Sequence, residues 1–348
     1  MRTLLRILGW TLGALVLAVL LLLSPVAYHE VACRGEALES GRQPILPPEH
    51  RRPAARTLMT YPEWHIVYAY EDYAATIRAG DPHDFGFLSA ITQFWQGACA
   101  MNRASAQFGG AAWTARQTIH VIGVSFTAEM LLKALYEETL GRAATWVRGE
   151  TRAPLDDLSA DQATAYAAFL HQTPWYRWDF SADRAALSAA DTGSVRDRER
   201  DLALGLEYGA KALYAQAIGA AVAATGQDEL TMRSVVAGLS PDDLAAIEGV
   251  TVIAERPEGV EVETPRYEAF NGVARAIAGA GGSFVEVAGN DRILVTAVSS
   301  SDEPLPDDLM ALPRQGEGGT RHLLLIPVSD FAARLTDPAL PIDHVFDY

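Results

Sequence analysis

The chain predicts an α+β protein held in a membrane at its amino-terminal end, and three observations carry that reading. An uncharged apolar run, Ile7–Ala27, follows Arg2 and Arg6. About 20 apolar residues at ~1.5 Å each cross the hydrocarbon core of a bilayer. Long helical patterns separated by short glycine breaks then fill residues 60–245, which predicts antiparallel helices packed as a bundle. From residue 246 onward the order strand, helix, hairpin, short helix, strand predicts a small ferredoxin-like α/β sandwich. The expected division is an anchor over 1–32, an extended linker over 33–59, a helical domain over 60–245 and an α/β domain over 246–348.

The apolar run is longer than the ~7–15 residues of a cleavable signal, so it reads as a retained anchor. Ser24-Pro25-Val26-Ala27 offers a competing cleavage site. Val31-Ala32-Cys33 sketches a lipidation site that Glu30 spoils. Arg2 and Arg6 favour an amino terminus in the cytoplasm. That makes the chain a single-pass protein of a bacterial inner membrane, with its body on the periplasmic side. Arg34, Arg42, Arg51, Arg52 and Arg56 on the far side oppose this orientation.

Glu36–Arg56 scatters Pro44, Pro47, Pro48 and Pro53 among charges, so it is expected to lift the body off the membrane in extended form. Thr60-Tyr61-Pro62-Glu63 carries the capping-box pattern. It opens a helix to Arg78 that stops at Gly80-Asp81-Pro82. Further helices are expected over Phe85–Phe108 and Thr114–Leu140, closed by Gly109-Gly110 and Gly141. Gln93, Gln96, Asn102, Arg103, His120, Glu129 and Lys133 make both costly in lipid, so they read as soluble core helices. A helix over Asp161–His171, an extended stretch Pro174–Phe180 packed over the bundle, and a long helix Arg196–Thr225 complete the domain. In the α/β part, a strand is expected over Val250–Ala254 and a helix over Tyr267–Ala280. A hairpin pairs Ser283–Ala288 with Arg292–Ser299. A short helix covers Pro306–Leu312, a strand His322–Val328 and a last helix Asp330–Leu335.

With 348 residues and 49% hydrophobic content, the chain is long and apolar enough to fold. Its net charge of −16 disfavours nucleic acid and anionic lipid head groups as partners. The expected partners are the bilayer, through Ile7–Ala27, and a protein, either another chain or a second copy. Two cysteines, Cys33 and Cys99, exclude a disulfide-rich scaffold and a four-cysteine zinc site. Cys99, in an apolar helix, reads as a buried free thiol; in an oxidising compartment the two could pair instead.

Only two lysines occur among 28 lysines and arginines, and both lie in one pattern. Glu129, Lys133 and Tyr136 repeat as Glu207, Lys211 and Tyr214 in E-x-x-x-K-A-L-Y-x-x-x-[LI]-G. Residues four apart share a helix face, so the simplest expectation is two exposed ion pairs. The alternative is a semi-buried cluster of Glu129, Lys133, Glu207 and Lys211 where a compact ammonium fits and a guanidinium does not.

The richest polar patch is on the first body helix, where Tyr61, His65, Tyr68 and Asp72 share one face, Trp64 and Glu71 lie on the adjoining stripe and Glu63 is close by, with His120 a candidate to face His65. Such a group could move protons or bind a ligand; the plainer reading is an aromatic helix whose polar tips are satisfied by hydrogen bonds. The eight histidines form no HxxxH, HExxH or Glu-x-x-His pair, and no G-x-S-x-G elbow or P-loop occurs. No metal and no cofactor is therefore expected. The leading expectation is a membrane-anchored binding or assembly module of unknown ligand, with the aromatic helical cleft as its binding surface. The alternatives are a tethered hydrolase or redox enzyme using His65, Glu63 and the two Glu–Lys pairs, or a purely structural scaffold.

Overall fold

Helix α1 (Arg2–Ala32) runs past the apolar stretch without a break in the computed structural model, which describes residues 2–38, 42–223, 230–301, 303 and 305–347. The residues of its most apolar stretch are not buried, while its last turns dock on the body: His29 and Cys33 are fully buried. The chain thus contains an apolar helix fit for membrane association. Cys33 is bonded to Cys99, 66 residues on. The expectation of a free Cys99 is corrected. The docked end of α1 brings the two Cα atoms to 4.9 Å, inside bridging range.

The segment after Cys33 is no free spacer. The buried carboxylate of Glu286 accepts hydrogen bonds from the backbone of Ile45 (2.7 Å) and Leu46 (2.8 Å) and an ion pair from Arg42 (2.6 Å). Arg52 N donates to Ala288 O at 2.9 Å. These bonds strap the segment to the far end of the chain, and α2 (Ala54–Leu58) then leads into the bundle.

The helical region comprises α3 (Tyr61–Ala79), α4 (Phe87–Ser105), α5 (Trp113–Tyr136), α6 (Arg142–Arg148), α7 (Pro154–Leu170), α8 (Phe180–Ala190) and α9 (Val195–Ala223). Thr60 makes no capping box; it is already helical in backbone and its hydroxyl donates to Thr57 O, because α2 ends against the start of α3. Gly97 lets α4 lie against α3: a methyl group there would come within 2.6 Å of the Tyr61 ring. Gly141 does not stop the third helix. It keeps helical angles inside a π-helical turn, Glu137–Gly141, and the helix runs on to Gly149. Pro174–Phe180 is part 3-10 turn, and α8 follows it. Thr225, the expected end of α9, lies outside the described residues.

Among the described residues, eight strands form two small antiparallel sheets. The first joins β1 (Thr231–Ala237), β2 (Thr251–Arg256), β3 (Gly259–Pro265) and β4 (Ser283–Val287) in the order β2-β3-β1-β4. It carries α10 (Pro241–Ala245) and α11 (Glu268–Gly279). The second joins β5 (Arg292–Ser299), β6 (Asp308–Pro313), β7 (Thr320–Pro327) and β8 (Ile342–Phe346) in the order β6-β7-β5-β8, with α12 (Val328–Leu335) before β8. Counted from its own first strand, each sheet repeats one order.

The expected hairpin is corrected: β4 and β5 sit in different sheets, because β1 pairs with β4 while β7 and β8 occupy both edges of β5. The expected short helix over Pro306–Leu312 is strand β6, bonded along β7.

The second sheet is buried on both faces. Ile293, Val295, Ala297, Leu324 and Ile326 share one core with Phe270 of α11 and Phe331 of α12. Leu294, Leu323, Leu325 and Phe346 share another with Tyr61, Tyr68 and Phe94 of the bundle. That explains the unbroken apolar run Leu323–Ile326, since a strand covered on both sides loses the alternation of a half-exposed one.

Candidate functional site

The two E-x-x-x-K-A-L-Y segments face each other across α5 and α9, which are joined by crossed ion pairs. Lys133 Nζ lies 3.0 Å from Glu207 Oε1; Lys211 Nζ lies 2.7 Å from Glu129 Oε1 and 2.9 Å from Glu207 Oε1. Tyr70 of α3 donates to Glu129 and accepts from Lys211 at 2.8 Å. Aromatic rings complete the box: Lys133 sits 4.6 Å from the Tyr73 centroid, and Lys211 within 5.6 Å of Tyr70, Tyr166 and Phe180. Burial acts to lower the Lys211 pKa, but Glu129 and Glu207 outweigh it and hold the ammonium charged well above the usual lysine range. Burial likewise acts to raise Glu207, and the two lysines override it, to about 2. Tyr136 and Tyr214 leave the cluster. Tyr136 donates to Glu199 at 2.6 Å, and Tyr214 packs at a tilt against Trp175. A cavity of about 30 Å³ adjoins the ammonium groups, room for water rather than for a drug-sized ligand.

His65 does not meet His120. Its Nε2 bonds Ala90 O (3.0 Å), its Nδ1 lies 3.4 Å from the Tyr61 hydroxyl, and burial pushes its pKa down to about 4. Glu63 is exposed. Trp64 lies on His344 with centroids 3.6 Å apart. Tyr68 bonds Thr296 and lies under Arg321, whose guanidinium carbon is 3.6 Å from the ring centroid. Asp72 accepts from Gln315 N at 2.8 Å through Oδ2, and its buried Oδ1 has no protein partner. Burial pushes its pKa up to about 6, against the Gln315 hydrogen bond and the Arg321 charge. The cavity beside it, about 10 Å³, has room for one water.

Three groups escaped the sequence reading. Arg196 and Arg200 of α9, both essentially inaccessible, run through a chain of carboxylates: Arg196 Nε to Asp156 (2.8 Å), Arg200 to both oxygens of Glu137 (2.9 and 3.1 Å), with Glu199 between. Their sequence, Arg196-Asp197-Arg198-Glu199-Arg200-Asp201, looks like any solvated helix start. Ser299, His322 and Asp308 line up at the end of the second sheet, with Ser299 Oγ to His322 Nε2 at 3.1 Å and His322 Nδ1 to Asp308 Oδ2 at 2.8 Å. The serine hydroxyl also donates to Ser301 O at 2.7 Å, so its proton is shared with the loop backbone. Finally His29, Glu30 and His120 converge where α1 meets α5. Spacing rules miss this last group because His120 is 91 residues from His29. Comparison with family models, curated proteins and solved structures finds no match to this chain.

Proposed function

We propose that the protein is a membrane-tethered assembly module, with its body outside the cytoplasm of a bacterial cell, that receives a helix of a partner protein along α5 and α9. One observation carries this reading. Val121, Leu132 and Leu135 on α5, and Leu202, Leu206 and Leu213 on α9, stand exposed. Their spacings of three, four, seven and eleven are those at which a second helix lays its own ridge. Soluble chains seldom leave such rows uncovered. The Glu–Lys cluster and the Asp72 patch, by contrast, adjoin cavities with room only for water.

The Cys33–Cys99 bond supports an oxidising compartment, hence a single-pass chain with its amino terminus in the cytoplasm. The repeated strand order supports two ferredoxin-like units, the second without its first helix. The acidic body favours a partner helix with basic flanks.

Photo-crosslinkers at Leu135 and Leu206 in the full chain test the reading. Both are expected to capture one helical segment of one partner, and Leu132→Glu is expected to abolish both adducts. Adducts to lipid alone, or to a second copy, overturn it. The Ser299–His322–Asp308 geometry favours a second reading, a hydrolase. A fluorophosphonate probe separates the two: the assembly reading expects Ser299 to stay unlabelled.

A further inference from the structure

We infer that His29, Glu30 and His120 form a zinc site that clamps the end of the membrane helix to the body. His29 and Glu30 sit on the last turn of α1, just past the apolar run, and His120 on α5. Their ligand atoms form a triangle. His120 Nε2 is 3.0 Å from His29 Nδ1 and 3.4 Å from Glu30 Oε1, and His29 Nδ1 is 3.9 Å from that oxygen. Ligands at the usual zinc distance of ~2.05 Å in a tetrahedron stand about 3.3 Å apart. The three separations bracket that edge, so a small cation fits their centre with shifts of a few tenths of an ångström.

The outer groups are those a metal site uses. His29 turns its other nitrogen, Nε2, to the carbonyl of Ala98 at 3.2 Å, which fixes the tautomer with a lone pair on Nδ1. Arg116 Nε holds Glu30 Oε1 at 2.9 Å, and Arg34 holds the other carboxylate oxygen. Without metal, His120 Nε2–H donates to His29 Nδ1. With metal, that proton moves to His120 Nδ1, and both Nε2 of His120 and Nδ1 of His29 offer lone pairs. The two guanidiniums oppose a cation. Affinity therefore rests on neutral imidazoles, which suits zinc and disfavours calcium and magnesium. Two histidines and a glutamate leave a fourth position for water. The disulfide braces the walls: Cys33, directly after α1, lies one turn beyond His29, and Cys99 follows Ala98.

The test uses the full chain in detergent, stripped of metal by chelator and titrated with zinc and then with cobalt(II). One zinc per chain is expected, and the cobalt form is expected to show the intense visible bands of four-coordinate metal. His29→Gln and His120→Gln are each expected to weaken zinc binding by on the order of 100-fold, while His50→Gln leaves it unchanged. The intact Cys33–Cys99 bond and the far-ultraviolet dichroism report whether each variant folds. If a variant does not fold, the cobalt spectrum of the unaltered chain decides alone. No saturable zinc binding, a pale six-coordinate cobalt spectrum, or binding that survives both substitutions in folded protein would overturn the site.

Discussion

Asp72 and His65 lie on one helix, both buried, and their titrations pull stability in opposite directions. Asp72 has its folded pKa raised from 3.8 to about 6. The folded state thus favours its neutral form, and the resulting stabilisation is present at low pH and lost as pH rises through 6. His65 has its folded pKa lowered from 6.5 to about 4. Its contribution is present above 6.5 and lost as pH falls through 4. Each shift of about two units corresponds to about 3 kcal/mol. The two effects therefore offset each other between about pH 4 and 6, so this pair adds little net pH dependence there. Asp72→Asn removes one side of the balance. It is expected to gain on the unaltered protein by up to about 3 kcal/mol at pH 7 and to lose that advantage at pH 4, read from urea unfolding at the two values. A difference independent of pH would show that the Asp72 carboxyl is hydrated and titrates normally.

The crossed pairs between α5 and α9 decide whether the two lysines are interchangeable with arginine. Lys211 sits in a box of Tyr70, Tyr166 and Phe180 that leaves about 30 Å³. A guanidinium there forces rings off their rotamers, so Lys211→Arg should cost about 1–3 kcal/mol. Lys211→Met takes the cation from half-buried Glu129, while Glu207 keeps Lys133, and should cost more, about 3–5 kcal/mol. Lys133→Arg combined with Lys211→Arg should deviate from additivity, since both ammonium groups contact Glu207. Denaturant unfolding of the singles and the double reads this, and three near-neutral results would mean the ion pairs rearrange freely. The repeated motif made these residues visible in the sequence, because composition singled out both lysines. The same inspection could not say that the pairs cross between helices, since spacing along one helix shows only its own face. Gly141 misled for a related reason: it accommodates the Glu137 carboxylate rather than ending a helix. Strand β6 misled because Leu309-Met310-Ala311-Leu312 is apolar without alternation, and only its place beside β7 distinguishes strand from helix.

The sequence pattern divides the molecule into a helical and an α/β part, and contacts between them were not legible in it. Glu286 looks like a surface acid in a strand, yet it anchors the segment that follows the apolar helix α1. The run Leu323–Ile326 marks a buried strand but does not say that the bundle covers one of its faces. These contacts have a consequence for stability. Removing the bundle would expose Leu294, Leu323, Leu325 and Phe346 together, a face that water does not tolerate in a stable sheet. The two parts should therefore unfold as one unit. The chain supplies its own probe: all seven tryptophans lie at or before Trp178, in α1 and the helical region. Tryptophan fluorescence thus reports mainly the helical region, with Trp64 also sensing its contact with His344 of β8, and hydrogen exchange of β5 and β7 amides reports the second sheet. In urea, with the disulfide intact, the two signals are expected to share one midpoint. Leu323→Ala, on the face turned to the bundle, should lower both midpoints together, with a cost of about 2–5 kcal/mol. Separate midpoints, or a Leu323→Ala shift confined to the exchange signal, would mean that the sheet folds without the bundle and that the shared core contributes little.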